Sequence, residues 1–205
     1  MRRSTIAVSV LAVFVAALFT VSAWAQEPAD TLKVDYFSNA NTTGAPDGTL
    51  RITYPGTVAV PTGTKGVTGV PNVCAYIAVF DSNQEMTECC GCLQTPDGLA
   101  TLSVDTDLTS NPLTGKKLQT GAVKILSVQP VNNTCPLPGQ GQTGVVTPAV
   151  RAWMTHIQNS NFAITETASQ DATLSLTEAN RLGQECASIV IVGSGSGVCT
   201  CGTGE

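Results

Sequence analysis

The sequence predicts a mainly β fold: a sandwich-like antiparallel sheet domain, stapled by disulfides, with two short helices packed against it. Only 12% of the residues are charged, and the composition is rich in Gly, Thr and Val and poor in helix formers. The apolar runs are short and separated by turn signals, which is the pattern of strands. Eight cysteines follow an N-terminal segment typical of export, and an even number in such a chain indicates a disulfide framework.

The N-terminal segment has the features of a signal peptide. Arg2 and Arg3 precede a long apolar stretch that ends in the small-x-small sequence AWA, so cleavage is expected before Gln26. The length of the apolar stretch leaves a retained membrane anchor as the alternative. We therefore divide the chain into a signal peptide over 1–25 and one β-rich, cysteine-containing domain over 26–205, secreted or periplasmic.

The charge balance is acidic. The 10 Lys and Arg residues include the two of the leader, so the mature chain would carry a net charge near −7 with its 15 Asp and Glu. Its basic residues form no cluster beyond Lys116-Lys117. This balance argues against nucleic acid as a partner and against membrane association after signal cleavage, and it identifies no other partner.

Strands dominate the first half of the mature chain. Leu50, Ile52 and Tyr54 alternate with polar residues after a Pro-Asp-Gly turn, which indicates a strand with one buried face. The segment from Val73 to Phe80 is apolar on both faces and is predicted to be buried on both sides. The predicted strands are residues 33–37, 50–54, 73–80, 85–88 and 99–104, with irregular connections over 55–72 and 105–117.

A first helix is predicted from Thr147, an expected N-cap with Pro148 at the first helical position. Apolar residues at positions 150, 153, 154 and 157 then have the spacing of one helical face. The helix is expected to run to about Asn159 and to pack Trp153 on the sheet.

A second helix is predicted from the capping-box pair Ser175 and Glu178, with Leu182 and Cys186 on its inner face. The other predicted features of this half are strands over 123–128, 162–167 and 188–192, a loop over 132–144 tethered at Cys135, and a glycine-rich turn over 193–197.

The cysteines are all disulfide candidates, and eight of them allow 105 full pairings. A turn at residues 82–83 would place Cys74 opposite the CCGC cluster, which makes it a candidate partner of that cluster. Cys199 and Cys201 point to the same face of an extended segment and are expected to pair with the cluster as well. The candidates are Cys74, Cys89, Cys90, Cys92, Cys135, Cys186, Cys199 and Cys201.

The combination of ECCGC, HIQN and GVCTCG resembles a group of exported bacterial proteins. That group shares a CCGC-type motif, a late Trp-bearing helix and a terminal CxC, and the resemblance covers most of Pro71 to Gly202. The group has no assigned activity, so the resemblance implies no catalytic residue.

Two thiol chemistries are alternatives to disulfides. Cys89 and Cys92 have CxxC spacing and Cys199 and Cys201 have CxC spacing, so four sulfurs of the two clusters form a possible tetrahedral zinc set. We predict no metal, because the chain is exported to where thiols oxidise and no His lies near either cluster. A redox dithiol is disfavoured because no helix pattern follows Cys92.

Hydrolysis has two possible routes. His156 is the only histidine, is expected on the exposed side of its helix, and has no Gly-x-Ser-x-Gly partner, which disfavours a nucleophilic hydrolase. Paired carboxylates offer glycosidase chemistry instead. The carboxylate candidates are Asp81, Glu85, Glu88, Asp105 and Asp107, and Asp97, Asp105 and Asp107 are an alternative calcium set. Solvated loop carboxylates are the preferred interpretation of all of them.

The aromatic residues leave little for a surface that stacks on glycans, because Trp153 is assigned to the core and the tyrosines lie in strand-like segments. Carbohydrate binding therefore stays open, with no sequence feature that supports it. The predicted function is therefore an exported non-catalytic structural or interaction module of unknown ligand, with no cofactor and no assigned catalytic residue. The alternatives are a carboxylate-based extracytoplasmic hydrolase and, after it, a thiolate metal-binding protein.

Overall fold

The computed structural model of the protein describes residues 32–58, 71–135, 146–158 and 160–192, together with Cys199 and Cys201. The predicted signal peptide, most of the 55–72 connection and the glycine-rich turn over 193–197 lie outside the described residues.

The described residues form two antiparallel sheets and two helices. The first sheet has the strand order β4-β3-β6-β1-β9, and the second has the order β5-β2-β7-β8. The elements are β1 (Leu32–Phe37), β2 (Thr49–Thr53), β3 (Val73–Phe80), β4 (Met86–Gln94), β5 (Leu99–Ser103), α1 (Val104–Asp107), β6 (Gly121–Val128), β7 (Arg151–Gln158), β8 (Ala163–Ala168), β9 (Gln170–Ala172) and α2 (Leu176–Val192). The predicted fold class, a mainly β sandwich with two helices and disulfides, is confirmed.

The first sheet is the middle layer of three. Its inner face packs on the second sheet through residues such as Ile77 and Val79, and its outer face packs on α2 through Tyr76 and Phe80. All eight residues of β3 are buried, as predicted from its apolar sequence. A strand covered by a sheet on one side and a helix on the other needs apolar residues at every position.

The predicted helix over 147–159 is wrong. The residues from Arg151 to Gln158 form β7, which pairs with β2 on one side and β8 on the other. The segment also fits a two-residue alternation, with Ala152 and Met154 facing the core and Trp153 on the outer face of the second sheet, 36% exposed. Pairing to two neighbouring strands overrides the helical spacing.

The second helix is confirmed and extends further than predicted. Its capping residue is Ser175, whose Oγ accepts a hydrogen bond from the Glu178 N–H at 3.1 Å. The segment 188–192, predicted as a strand, continues the helix to Val192. It does so because Ile189 extends the buried helical row of Leu182 and Cys186.

The remaining strands agree with the predicted ones except at their ends. The largest difference is β4, which continues through the CCGC sequence to Gln94 instead of ending at Glu88. The loop after β5 contains α1, and β9 is a short strand that was not predicted. No helix in the described part of the chain has the length and apolarity needed to cross a membrane.

Candidate functional site

The cysteines of β4 point alternately to the two faces of the first sheet. Cys89 lies on the α2 side and bonds to Cys186, with 5.7 Å between the Cα atoms. Cys90 and Cys92 lie on the inner side and bond to Cys199 and Cys201. The expected pairing of the CCGC cluster with the C-terminal CxC is therefore confirmed, and the neighbouring Cys89 and Cys90 take different partners.

Cys74 was a candidate partner of the CCGC cluster. It bonds to Cys135 instead. The register prediction was nearly right, because Cys74 lies opposite Leu93 on β4. Its side chain, however, faces α2, whereas those of Cys90 and Cys92 face the second sheet. Cys89 shares the α2 face with Cys74 but lies opposite Ala78, too far along β3 to reach it. A disulfide cannot join side chains on opposite faces of a sheet.

Gly91 explains the spacing within the CCGC sequence. Cys90 and Cys92 face the second sheet, so the residue between them, Gly91, faces α2, where the Tyr76 ring lies. A Cβ atom at Gly91 would come within 2.6 Å of the Tyr76 ring and 3.0 Å of the Cys135 carbonyl oxygen. Glycine is therefore required there for the two strands and the Cys135 segment to approach each other.

The far edge of the same sheet carries buried polar side chains in place of cysteines. Asp35, on β1, accepts hydrogen bonds from Ser169 Oγ at 2.6 Å and from the Tyr36 N–H at 2.9 Å. His156, on β7, has its Nε2 atom 3.4 Å from Asp35 Oδ1 and 2.7 Å from Thr167 Oγ1. We call Asp35, His156, Thr167 and Ser169 the polar cluster.

The expectation that His156 is exposed is wrong: it is 3% exposed. On a strand, His156 faces the same side as Met154, two residues before it, and Met154 points into the core. On the predicted helix, its side chain would have pointed away from the apolar face. Its Nδ1 atom is buried and has no hydrogen-bond partner among the described residues. Sequence reasoning missed Asp35, although Lys33 and Asp35 alternate with apolar residues on β1 and so share the inward face.

The polar cluster is not a catalytic triad. In a triad the acid holds one ring nitrogen and the nucleophile's hydroxyl meets the other. Here Asp35 and Thr167 both contact Nε2 of His156. The Ser169 hydroxyl donates to Asp35 and not to the imidazole. The arrangement therefore orients the histidine between two strands but does not activate a hydroxyl.

A cleft of about 450 Å³ opens beside the polar cluster. It exists because β9 pairs with β1 only over Leu32–Val34, which leaves the rest of the β1 edge uncovered by β9. Tyr36 lies in the cleft, 49% exposed, and its ring stacks on His156 with 4.4 Å between centroids. Gln158 Nε2 donates to the Tyr36 hydroxyl at 3.4 Å, and Gln170 also lines the cleft.

The exposed Tyr36 ring is an aromatic residue available for stacking, where the sequence was expected to leave little for this purpose. The other two tyrosines do lie in the core, as expected. Trp153 is also partly exposed, but it lies on the outer face of the second sheet, across from Arg51 of β2. Tyr36 could have been identified from the alternation along β1, which places its side chain on the opposite face from Asp35 and Phe37. Its exposure also depends on β9, which does not extend as far as Tyr36.

Most of the carboxylate candidates close turns and loops. Asp81 accepts from the Asn83 and Glu85 N–H groups, at 2.8 and 3.0 Å. Asp105 accepts from the Asn41 N–H at 2.9 Å, and Asp107 from the Ser103 N–H at 2.8 Å. The remaining calcium candidate, Asp97, lies in the turn between β4 and β5, where its own N–H donates to Tyr54.

Glu88 is the exception among the carboxylates. It is 3% exposed, and burial raises the pKa of its carboxyl to about 7 against the lowering effect of hydrogen bonds from Ser110. The charge of Asp107 also raises this pKa. A buried carboxyl that is partly protonated at neutral pH has the pKa of a general acid, but substrate has no access to it.

The four disulfides indicate an oxidising, extracytoplasmic environment. No protein-family model and no curated protein matches the chain. A solved structure similar in part is titled "Crystal Structure of Thermotoga maritima 1070"; it is 10% identical, with 70% of this chain and 97% of that chain aligned at a TM-score of 0.37.

Proposed function

We propose that the protein is an exported, non-catalytic binding module whose ligand is a neutral saccharide held in the cleft at Tyr36. The observation that carries the proposal is an exposed aromatic ring inside a cleft whose polar lining consists largely of amides and hydroxyls. Cavities of this kind, with an apolar body and a few placed polar groups, are typical of small-molecule sites.

The chemistry of the cleft suits a sugar better than a charged ligand. The carbon-bound hydrogens of a pyranose ring pack on an aromatic face, and amide side chains both donate to and accept from hydroxyls. Gln158, Gln170 and Thr165 provide such groups around Tyr36. The carboxylate in the lining, Asp35, is already bonded to Ser169 and to the Tyr36 N–H, so it offers little to a cation.

The absence of catalysis in this proposal rests on the polar cluster. Asp35 and the Thr167 hydroxyl both contact the same nitrogen of His156, Nε2. The imidazole therefore cannot take a proton from a hydroxyl on one nitrogen while the carboxylate holds the other. Three of the carboxylates that a glycosidase would need, Asp81, Asp105 and Asp107, accept hydrogen bonds from backbone N–H groups. Of the other two, Glu88 is buried and Glu85 is exposed in the turn before β4, so they share no open site. Export is supported by the disulfides and by the leader features of residues 1–25.

The test is calorimetric titration of the oxidised protein with neutral hexasaccharides of glucose, xylose and N-acetylglucosamine. We expect at least one to bind, and Tyr36→Ala to weaken it at least tenfold while Tyr36→Phe retains most of the affinity. Trp153→Ala is the matched control, because it removes a partly exposed aromatic ring on the opposite face of the second sheet. Equal losses in Tyr36→Ala and Trp153→Ala, or no binding of any probe, would refute the proposal.

The same samples separate binding from hydrolysis. Chromatography of each bound hexasaccharide after a long incubation is expected to recover it intact. Shorter products that disappear in Glu85→Gln or in Glu88→Gln would support the hydrolase alternative instead.

A further inference from the structure

Three sulfur atoms meet where the C-terminal CxC joins β4: the Sγ atoms of Cys90, Cys92 and Cys201 lie within 4.8 Å of one another. Cys199 is bonded to one of them, Cys90. We call these four residues the sulfur cluster. In the described part of the chain, no other three Cys, His, Asp or Glu side chains bring ligand atoms this close together.

We propose that the sulfur cluster binds one zinc ion when its two disulfides are reduced. Zinc–thiolate bonds of about 2.3 Å in a tetrahedron place the sulfurs about 3.8 Å apart. The Sγ atoms of Cys90, Cys92 and Cys201 already lie within 4.8 Å of one another, and breaking the Cys90–Cys199 bond frees Cys199 to provide the fourth ligand. This inference is independent of the saccharide proposal, because the sulfur cluster and the Tyr36 cleft lie at opposite edges of the first sheet.

The strand geometry fixes two of the four sulfurs without the disulfides. Cys90 and Cys92 are two residues apart on β4, so both face the inner side of the first sheet. β4 is paired along its length to β3, which holds both side chains in place. Cys199 is buried against the same core, whereas Cys201 is only partly buried. An ion would therefore enter the site from solvent beside Cys201.

The other two disulfides do not form such a site. Cys89–Cys186 ties β4 to α2, and Cys74–Cys135 ties β3 to the loop after β6. Both lie on the outer face of the first sheet. Each provides two sulfurs, and zinc in structural sites takes four ligands.

Zinc binding follows reduction of the two disulfides of the sulfur cluster. Each of these disulfides accepts two electrons and two protons from a dithiol reductant, which is itself oxidised to a disulfide. The four resulting thiols then release four protons as four zinc–sulfur bonds form. The ion would hold the C-terminal residues against β4 in place of the two covalent bonds, so the same contact persists in either oxidation state.

The test uses the full mature chain reduced with a trialkylphosphine under nitrogen, because dithiols themselves bind zinc. Cobalt(II) is added as a spectroscopic probe and then displaced by zinc. We expect a thiolate-to-cobalt charge-transfer band and tetrahedral visible bands that saturate at one ion per chain, and no such bands in the oxidised protein. Absence of these bands in the reduced protein would refute the proposal.

A matched pair of variants locates the site. Cys92→Ser/Cys201→Ser removes one disulfide of the sulfur cluster, and Cys74→Ser/Cys135→Ser removes one disulfide elsewhere. We expect the tetrahedral cobalt bands to be lost in the first variant and retained in the second. The reverse result, or equal binding by both, would overturn the assignment.

Alkylation gives a readout that does not depend on how well the variants fold. The reduced wild-type chain is loaded with zinc, treated briefly with iodoacetamide, and mapped by peptide mass spectrometry. The same treatment of the metal-free reduced chain is the reference, because burial alone already shields several of the eight cysteines. Zinc is expected to lower the modification of Cys90, Cys92, Cys199 and Cys201 and to leave that of Cys74, Cys89, Cys135 and Cys186 unchanged. No change on adding zinc, or an equal decrease at all eight, would contradict a specific site.

Discussion

The two edges of the first sheet are attached to the rest of the molecule by different chemistry. At the β4 edge, the three cysteines Cys89, Cys90 and Cys92 join the strand to later parts of the chain. At the β1 edge, Asp35 accepts a hydrogen bond from Ser169, between β8 and β9, and lies 3.4 Å from His156 Nε2 on β7.

This difference separates stability from binding. Disulfides stabilise whatever they join without needing polar groups or an opening to solvent, so the β4 edge can be closed and apolar. Buried hydrogen bonds hold a fixed geometry only while every partner is present. The β1 edge therefore has the composition of a site, with oriented polar groups next to an open cleft, and the β4 edge has that of an anchor.

The largest expected effect comes from truncating the chain after Ala187. This removes Ile189 from the α2 face and both disulfide partners of the inner β4 cysteines. Each lost disulfide costs about 2–5 kcal/mol, against a total stability of about 5–15 kcal/mol for an ordinary domain. We expect no soluble folded protein, as judged by yield and by the thermal unfolding curve.

The full-length variant Cys199→Ser/Cys201→Ser is the control for that truncation. It removes the same two disulfides and keeps α2 complete. Any further loss of stability in the truncated chain is therefore due to the missing end of the helix. An unchanged melting temperature in the truncated protein would show that the β4 anchor is dispensable.

The second prediction concerns Glu88, the one buried carboxyl in the β4 strand. Its folded pKa of about 7 exceeds the ordinary value of 4.5, so the folded state binds the proton more tightly than the unfolded state. The associated stability is complete below pH 4.5 and is lost as the pH rises through about 7. The loss amounts to about 3 kcal/mol between these limits.

Urea unfolding at pH 5 and pH 8 checks this. We expect Glu88→Gln to lack most of the decrease in unfolding free energy that the wild type shows between the two pH values. Glu85→Gln, in the exposed turn before β4, is expected to behave like the wild type. If the wild type and Glu88→Gln lose the same free energy between pH 5 and pH 8, the raised pKa is wrong.

The smallest effect is expected at the β1 edge. Asp35→Ala leaves the Ser169 hydroxyl and the Tyr36 N–H without their acceptor, which costs about 1–3 kcal/mol of unfolding free energy. Glu166→Ala is the comparison, because it removes a carboxylate from an exposed ion pair with Arg51, an interaction worth about 1 kcal/mol or less. Urea unfolding of both variants at pH 7 measures the difference. Equal losses would show that the polar cluster does not stabilise this edge.

The local sequence was sufficient wherever one chain segment decides its own environment. The uninterrupted apolar run of β3 required burial on both sides, and the alternation of Leu50 and Ile52 indicated one inward face. The CxC spacing placed Cys199 and Cys201 on one face, which is why their pairing with the CCGC cluster could be predicted. These inferences depend on side-chain parity alone, and parity is a property of the strand itself.

Tertiary structure decided what depends on neighbours far away in the sequence. Arg151–Gln158 carries both helical and strand spacing, and only the two strands beside it select β7. That choice turns His156 inward to meet Asp35, more than a hundred residues earlier, and so creates the polar cluster beside the cleft. The sequence by itself determined a disulfide-stapled β domain with a C-terminal anchor. The candidate site needed the fold, because hydrogen bonds and clefts form between segments whose proximity no local pattern encodes.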